Sequence, residues 1–206
     1  MELLVATRSR GKLSEIRAIL AEVPGLKVLD LEEAGVPHDP AEDSLEPHDT
    51  FEENALSKAR YFRRLSGLPT VADDSGLEVD ALGGAPGVRS KRFAPDADAE
   101  GEALDEANNR HLLRSLEGTP PSRRSARYVC VAVLVNGDEH SSAFRGEAPG
   151  EILPAGRGSG GFGYDPLFFD RELGKTFAEI PRDVKNGRSH RGRAFRALAQ
   201  SLRRRR

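Results

Sequence analysis

The chain opens on an apolar run, Glu2 to Ala6, that reads as a buried strand. A polar loop follows, Thr7-Arg8-Ser9-Arg10-Gly11-Lys12. Apolar residues then fall at Leu13, Ile16, Ile19 and Leu20, the spacing of a helix with one buried face, and Pro24-Gly25 stops it. Strand, loop and helix in this order begin α/β sheets whose ligand sits at the strand's C-terminal end. Val28 to Leu31 reads as a second strand, and 32–49, acidic and broken by Pro37, Pro40 and Pro47, as a loop. Thr50-Phe51-Glu52-Glu53 is a capping box, and Phe51, Ala55, Ala59 and Phe62 form the apolar stripe of the helix it starts, which ends near Gly67.

Further along, Pro69–Ala72 and Leu77–Val79 read as two short strands around a turn, Asp73-Asp74-Ser75-Gly76. A Gly/Pro-rich segment, Gly83 to Gly87, is followed by a helical pattern from Ala99 to Leu116. Residues 126–135 are the clearest strand, Asn136-Gly137 is a hairpin signal, and the return strand runs from Ser141 to Gly146. Glycine dominates 154–166, Leu167 to Phe169 reads as a brief strand, and a polar loop holds Lys185 and Ser189-His190-Arg191-Gly192. The end is an Arg-rich helix with the run Arg203 to Arg206. The pattern is that of an α/β fold.

Composition narrows the function classes. The 206 residues fit one large domain or two tightly associated lobes. A single cysteine, Cys130, excludes an internal disulfide scaffold. No apolar run approaches a membrane span or a signal h-region, so the expected compartment is the cytoplasm, without a membrane partner. Lys plus Arg total 31 against 33 Asp plus Glu, a formal charge of -2, which argues against a globally basic nucleic-acid binder. An anionic ligand has to be met by a local cluster of cations.

Five constellations carry candidate chemistry. The loop Thr7 to Lys12 lies between a strand and a helix start, where backbone N–H groups and the helix dipole favour an anion such as phosphate; the alternative is a solvated basic loop. It is not a Walker loop, because Ala6 and Leu13 stand where Gly and Ser/Thr are required. Asp73-Asp74 places adjacent carboxylates together, and a cation such as Mg²⁺ relieves their repulsion; the alternative is an Asx turn. Acids upstream (Glu42, Asp43, Glu46, Glu52, Glu53) are surface charge or further metal ligands, and Asn54 and Lys58 share a helix face. Gly160-Gly161-Phe162-Gly163-Tyr164-Asp165 fits a backbone that approaches a planar ligand closely, with Phe162 stacking on a base and Asp165 accepting from a ring N–H or fixing the loop; taken alone, the segment fits a glycine-rich turn with two core aromatics better. Lys185, His190 and Arg191 add late cations, while the remaining histidines have no metal-ligand spacing. Together these features describe a Mg²⁺-dependent nucleotide site.

In this order the segments resemble the inosine triphosphate pyrophosphatase family. The resemblance rests on Thr7 to Lys12, Phe51 to Ala55 with Lys58-Ala59-Arg60, Ala72 to Leu77 with Gly83 to Gly87, Gly160 to Phe168, and Ser189 to Gly192. It covers Leu4 to about Leu198 and implies one family-like domain over 1–206. The implied fold is an elongated mixed β-sheet with flanking helices and two lobes around a central nucleotide cleft. The implied reaction is Mg²⁺-dependent hydrolysis of ITP, dITP or XTP to monophosphate and pyrophosphate, cleansing the nucleotide pool, by a homodimer. One departure stands out: Arg8 and Ser9 occupy places where the family often has Gly-Asn, which bears on affinity more than on reaction type.

The resemblance assigns Asp74 as the catalytic carboxylate and metal ligand; spacing before the Phe51 helix makes Glu46 the second ligand ahead of Glu42, Glu53 and Asp73. Substrate contacts fall to Thr7, Arg8, Ser9, Arg10, Gly11, Lys12, Lys58, Ser75, Phe162, Gly163, Tyr164, Asp165, Lys185, His190 and Arg191. Lys12 and the loop amides would hold the triphosphate, and His190 and Arg191 would donate to a purine 6-keto oxygen. Three other classes remain open: a non-catalytic nucleotide sensor, a nucleic-acid binder using the Arg-rich end, and a sugar phosphatase releasing orthophosphate.

Overall fold

The computed structural model describes residues 1–95, 101–137 and 140–204, apart from the side chains of Glu102 and Arg182. Ala99 and Glu100 of the expected third helix, and Arg205 and Arg206 of the terminal run, lie outside the described residues. Two compact units emerge. Unit one holds 1–74, 130–146 and 190–206; unit two holds 75–129 and 147–189.

Seven strands make a mixed sheet: β1 (Glu2–Val5), β2 (Lys27–Leu29), β3 (Thr70–Val79), β4 (Ser125–Val135), β5 (Ser141–Ile152), β6 (Phe168–Asp170) and β7 (Lys175–Thr176), in the order β2-β1-β3-β4-β5-β6-β7. β1 runs parallel to β2 and β3, with Leu4 opposite Leu29 and Thr70; β6 is antiparallel to β5 and β7.

In unit one, α1 (Arg10–Leu20) buries Ile16, Ile19 and Leu20, as its spacing requires. Helix α2 (Phe51–Ser66) buries Phe51, Ala55, Ala59 and Phe62. Its Thr50 hydroxyl accepts from the Glu53 N–H at 3.2 Å, and Gly67, at φ 70°, ends it where a left-handed residue is needed. The core joins β1 and α1 to α5 (His190–Arg204) through Phe195, Leu198 and Leu202. In unit two, α3 (Gly101–Ser115) packs Leu112 against Leu77, Tyr128, Phe168 and Phe177, and α4 spans Arg182–Arg188.

Three expectations are corrected. Asp73 to Gly76 form no turn but continue one ten-residue strand, β3. Turn-prone residue types are overridden there because both acids find side-chain partners and no residue needs a positive φ. The segment around Lys185 is the helix α4 rather than a loop, and α5 already begins at His190. The acidic loop of 32–49 contains a 3₁₀ turn, Pro40–Ser44, capped by Asp39, whose carboxylate accepts from the Ala41 N–H at 2.8 Å.

Candidate active site

The loop after β1 is shaped by its own hydroxyls. Thr7 Oγ1 accepts from the Ser9 N–H at 3.2 Å, and Ser9 caps α1 by accepting from the Lys12 N–H at 3.4 Å. The first helical amides, Arg10 and Gly11, have no acceptor within the helix. Arg8 turns to the acidic loop: its guanidinium donates to Glu42 at 2.7 Å and to the carbonyl oxygen of Pro37 at 2.9 Å. Arg8 and Glu42 are thereby committed to each other.

Next to this loop, Asp73 and Asp74 sit on β3 with little exposure, 1% and 6%. Successive strand residues point to opposite faces, so the two neighbours meet different partners. Asp73 Oδ2 lies 3.2 Å from Lys12 Nζ, 3.5 Å from Arg191 Nε and 3.8 Å from the Cys130 thiol. Burial pushes its carboxyl up, but Lys12, Arg191 and Lys58 outweigh burial and hold it well below the ordinary value. Arg191 is itself 2% exposed, and its Nη1 donates to Glu15 at 2.7 Å.

Asp74 is the electrostatic opposite. Burial and the charge of Glu46 raise its carboxyl above the ordinary value, against Lys12, Lys58 and a hydrogen bond from Asn54. Asn54 Nδ2 reaches Asp74 Oδ2 at 3.0 Å. The same amide receives the His48 N–H at 2.8 Å and donates to the His48 carbonyl at 3.1 Å, so it ties Asp74 to the segment that carries Glu46. Glu46 pairs with Lys58 one helical turn from Asn54, and Lys58 stays protonated through Glu46, Asp73 and Asp74 despite its burial. Glu53 accepts from the Thr50 hydroxyl at 2.7 Å. Among the competing acids, Glu42, Glu53 and Asp73 therefore all have other work.

Unit two brings together Phe162, Gly163, Tyr164, Asp165 and Lys185. Asp165 organises the loop: its Oδ2 accepts from the Phe162 N–H at 2.9 Å and from Lys185 Nζ at 2.6 Å, and Tyr128 hydroxyl lies 3.5 Å from Oδ1. Gly161, at φ +75°, leaves no space for a side chain, because a Cβ there would stand 2.0 Å from Asp165 Oδ2. Lys185 Nζ lies 4.8 Å from the centre of the Phe162 ring, which is 37% exposed. Tyr164 donates to the Ser90 carbonyl at 2.7 Å. Ser75 follows Asp74 on β3, at the first position of unit two.

The structure thus gathers Thr7 to Lys12, Glu46, Lys58, Asp74, His190 and Arg191 in unit one, and Ser75, Phe162 to Asp165 and Lys185 in unit two. Sequence reasoning missed Glu15, Ser90, Asp105 and Asn109. A carboxylate beside Ile16 on the inner stripe of α1 is the signal that could have found Glu15; for the others no local signal exists.

A buried acid–lysine cluster beside a strand–loop–helix, on a mixed seven-stranded sheet, defines an α/β protein with a charged site in unit one. The chain belongs to the Ham1 family, whose profile matches residues 3–201. It is 48% identical over 200 residues to a dITP/XTP pyrophosphatase of Geobacter sulfurreducens, covering 97% of this chain and 96% of that one. It is 45% identical to a dITP/XTP pyrophosphatase of Thermus thermophilus, covering 98% and 91%. Among solved structures, a HAM1 protein from Coxiella burnetii superposes with a TM-score of 0.84 at 37% identity, covering 98% of both chains. A nucleoside-triphosphatase, or dITP/XTP pyrophosphatase, from Mycobacterium abscessus gives 0.73 at 38% identity, covering 96% of this chain and 98% of that one.

Proposed function

We propose that this protein is a nucleoside triphosphate pyrophosphatase that hydrolyses ITP, dITP and XTP to the monophosphate and pyrophosphate, and so clears deaminated purines from the nucleotide pool. The observation that carries the mechanism is the split between the adjacent aspartates. Asp73 is held ionised by cations, whereas burial and Glu46 raise Asp74, the property wanted of a general base or a cation ligand.

Two carboxylates, Asp74 and Glu46, would hold Mg²⁺. Such a donor set fits an ion that takes one or two carboxylates and completes its shell with water and substrate phosphates. The chemistry a bound divalent cation supplies there is neutralisation of charge on the phosphate oxygens.

The chain's own residues do the rest. Lys12, Lys58 and the first amides of α1 bind the triphosphate. Asp74 takes the proton from water as its oxygen attacks the α-phosphorus; the bond from that phosphorus to the bridging oxygen breaks, and its electron pair leaves with pyrophosphate. Phe162 stacks on the purine, Asp165 and Lys185 fix its loop, and His190 and Arg191 supply donors that favour a 6-keto group over an amino group. A homodimer in the cytoplasm is part of this reading, and no helix among the described residues is long and apolar enough to cross a membrane.

The test is pyrophosphate release from dITP, with dATP and dGTP as controls, with and without Mg²⁺. Metal-dependent release from dITP alone is expected. Equal release from all three defeats the base-reading assignments, and release from none defeats the activity.

A further inference from the structure

The Phe162 loop is gripped from α3, a helix that carries none of the candidate substrate or metal contacts. Asp105 and Asn109 stand four residues apart on α3, on one face. Asp105 Oδ2 accepts from the Gly163 N–H at 2.6 Å, and Asn109 Nδ2 donates to the Gly163 carbonyl at 2.9 Å. Gly163 itself lies at φ +63°. The residue before it presents a ring that is 37% exposed, so packing against the core does not account for holding this loop so firmly.

We infer that Asp105 and Asn109 are positioning residues for base recognition, because by fixing both polar groups of Gly163 they set the pose of the Phe162 ring. The inference rests on Phe162 being the purine platform. Neither residue touches the substrate; both act through the peptide next to it.

Docking of α3 does not depend on this pair. Leu112 and Leu116 are fully buried in the core of unit two. Asn108 accepts from the Phe93 and Ala94 N–H groups at 3.0 and 2.9 Å and donates to the Lys91 carbonyl at 3.1 Å. Removing the clamp therefore loosens one peptide while the helix stays seated. A stacking surface that samples several poses binds its base less often in the productive one, and that cost falls on KM.

The experiment is steady-state pyrophosphate release from dITP by the full chain with saturating Mg²⁺, together with thermal unfolding. Asp105→Ala and Asn109→Leu are each expected to raise KM about tenfold, with kcat within about threefold and the unfolding temperature nearly unchanged. Asp105→Asn keeps an acceptor for the Gly163 N–H and is expected to restore the parent KM. Phe162→Ala raises KM at least as much, and adding Asn109→Leu to it changes nothing further. If Phe162→Ala leaves KM unchanged, the platform reading fails and the inference with it. If Phe162→Ala raises KM but the α3 variants do not, or if their effect persists without the ring, the platform stands and the positioning role is overturned. Loss of folding in both α3 variants also overturns it, since the clamp would then be structural.

Discussion

Asp73 and Asp74 are adjacent and both are buried, yet their neutralisation should move stability in opposite directions. Asp73→Asn removes the negative partner of Lys12 and Arg191. Arg191 keeps Glu15, and the Lys12 side chain, 20% exposed, can turn towards water, so the loss sits at the low end for a broken buried pair. That is about 3 kcal/mol, or roughly 6–12 °C of unfolding temperature for a chain of this size. Asp74→Asn instead removes a charge that the fold disfavours, and the Asn54 amide can still donate to the new side-chain oxygen. Its unfolding temperature should equal or exceed that of the parent.

The pH dependence carries the same opposition. Asp73 has a folded value below its unfolded one, so its contribution is fully present above the ordinary aspartate value, 3.8, and is lost as pH falls through the folded value. Asp74 has a folded value above its unfolded one, so the cost of its charge is absent at low pH and grows as pH rises through the folded value. Calorimetry in EDTA, which keeps divalent ions out of the comparison, is the assay. The deficit of Asp73→Asn should stay constant at neutral pH and narrow in strong acid, while the advantage of Asp74→Asn should shrink as pH falls. An Asp73→Asn protein within about 2 °C of the parent, or an Asp74→Asn protein that loses as much, refutes the split. Activity then assigns the roles: Asp74→Asn should bind nucleotide without turnover, and retained turnover sinks its catalytic role.

Other perturbations test the remaining parts. Lys185→Met leaves the buried Asp165 carboxylate without its 2.6 Å cation and should cost about 3–5 kcal/mol, read by denaturant unfolding; a loss under about 1 kcal/mol contradicts the pairing. Gly161→Ala has to take a left-handed backbone and displace Asp165, so KM for dITP should rise several-fold, and an unchanged KM refutes the loop assignment. Cys130 is fully buried, and burial together with Asp73 raises its thiol well above the usual range, so a thiol reagent should label it only after unfolding. Stoichiometric labelling of the native protein within minutes would show that the strand opens.

What the sequence made legible, and what it hid, divides along a physical line. Helix α2 could be read in full because its cap, its stripe and its stop are local: Thr50 with Glu53, Phe51 to Phe62, and Gly67. The inventory of acids, lysines and glycines was readable for the same reason. Hidden were the pairings. Arg191 meets Asp73 across 118 positions and Glu15 across 176, and no local pattern encodes such distances. The segment around Lys185 read as a polar loop, whereas it is helical, with Lys185 buried on Asp165.

The misreading of Asp73 to Gly76 as a turn had the largest consequence. A turn groups its side chains locally, and two acids in one are then equivalent candidates for one metal. A strand alternates, and alternation sends Asp73 to the cations while its neighbour meets Asn54. The ranking of Asp74 above Asp73, which the sequence supported only through family resemblance, thereby acquires a cause. One residue is spent holding Lys12 and Arg191 in place, and the next, on the other face of the strand, carries a charge that burial and Glu46 disfavour more than Lys12 and Lys58 relieve it.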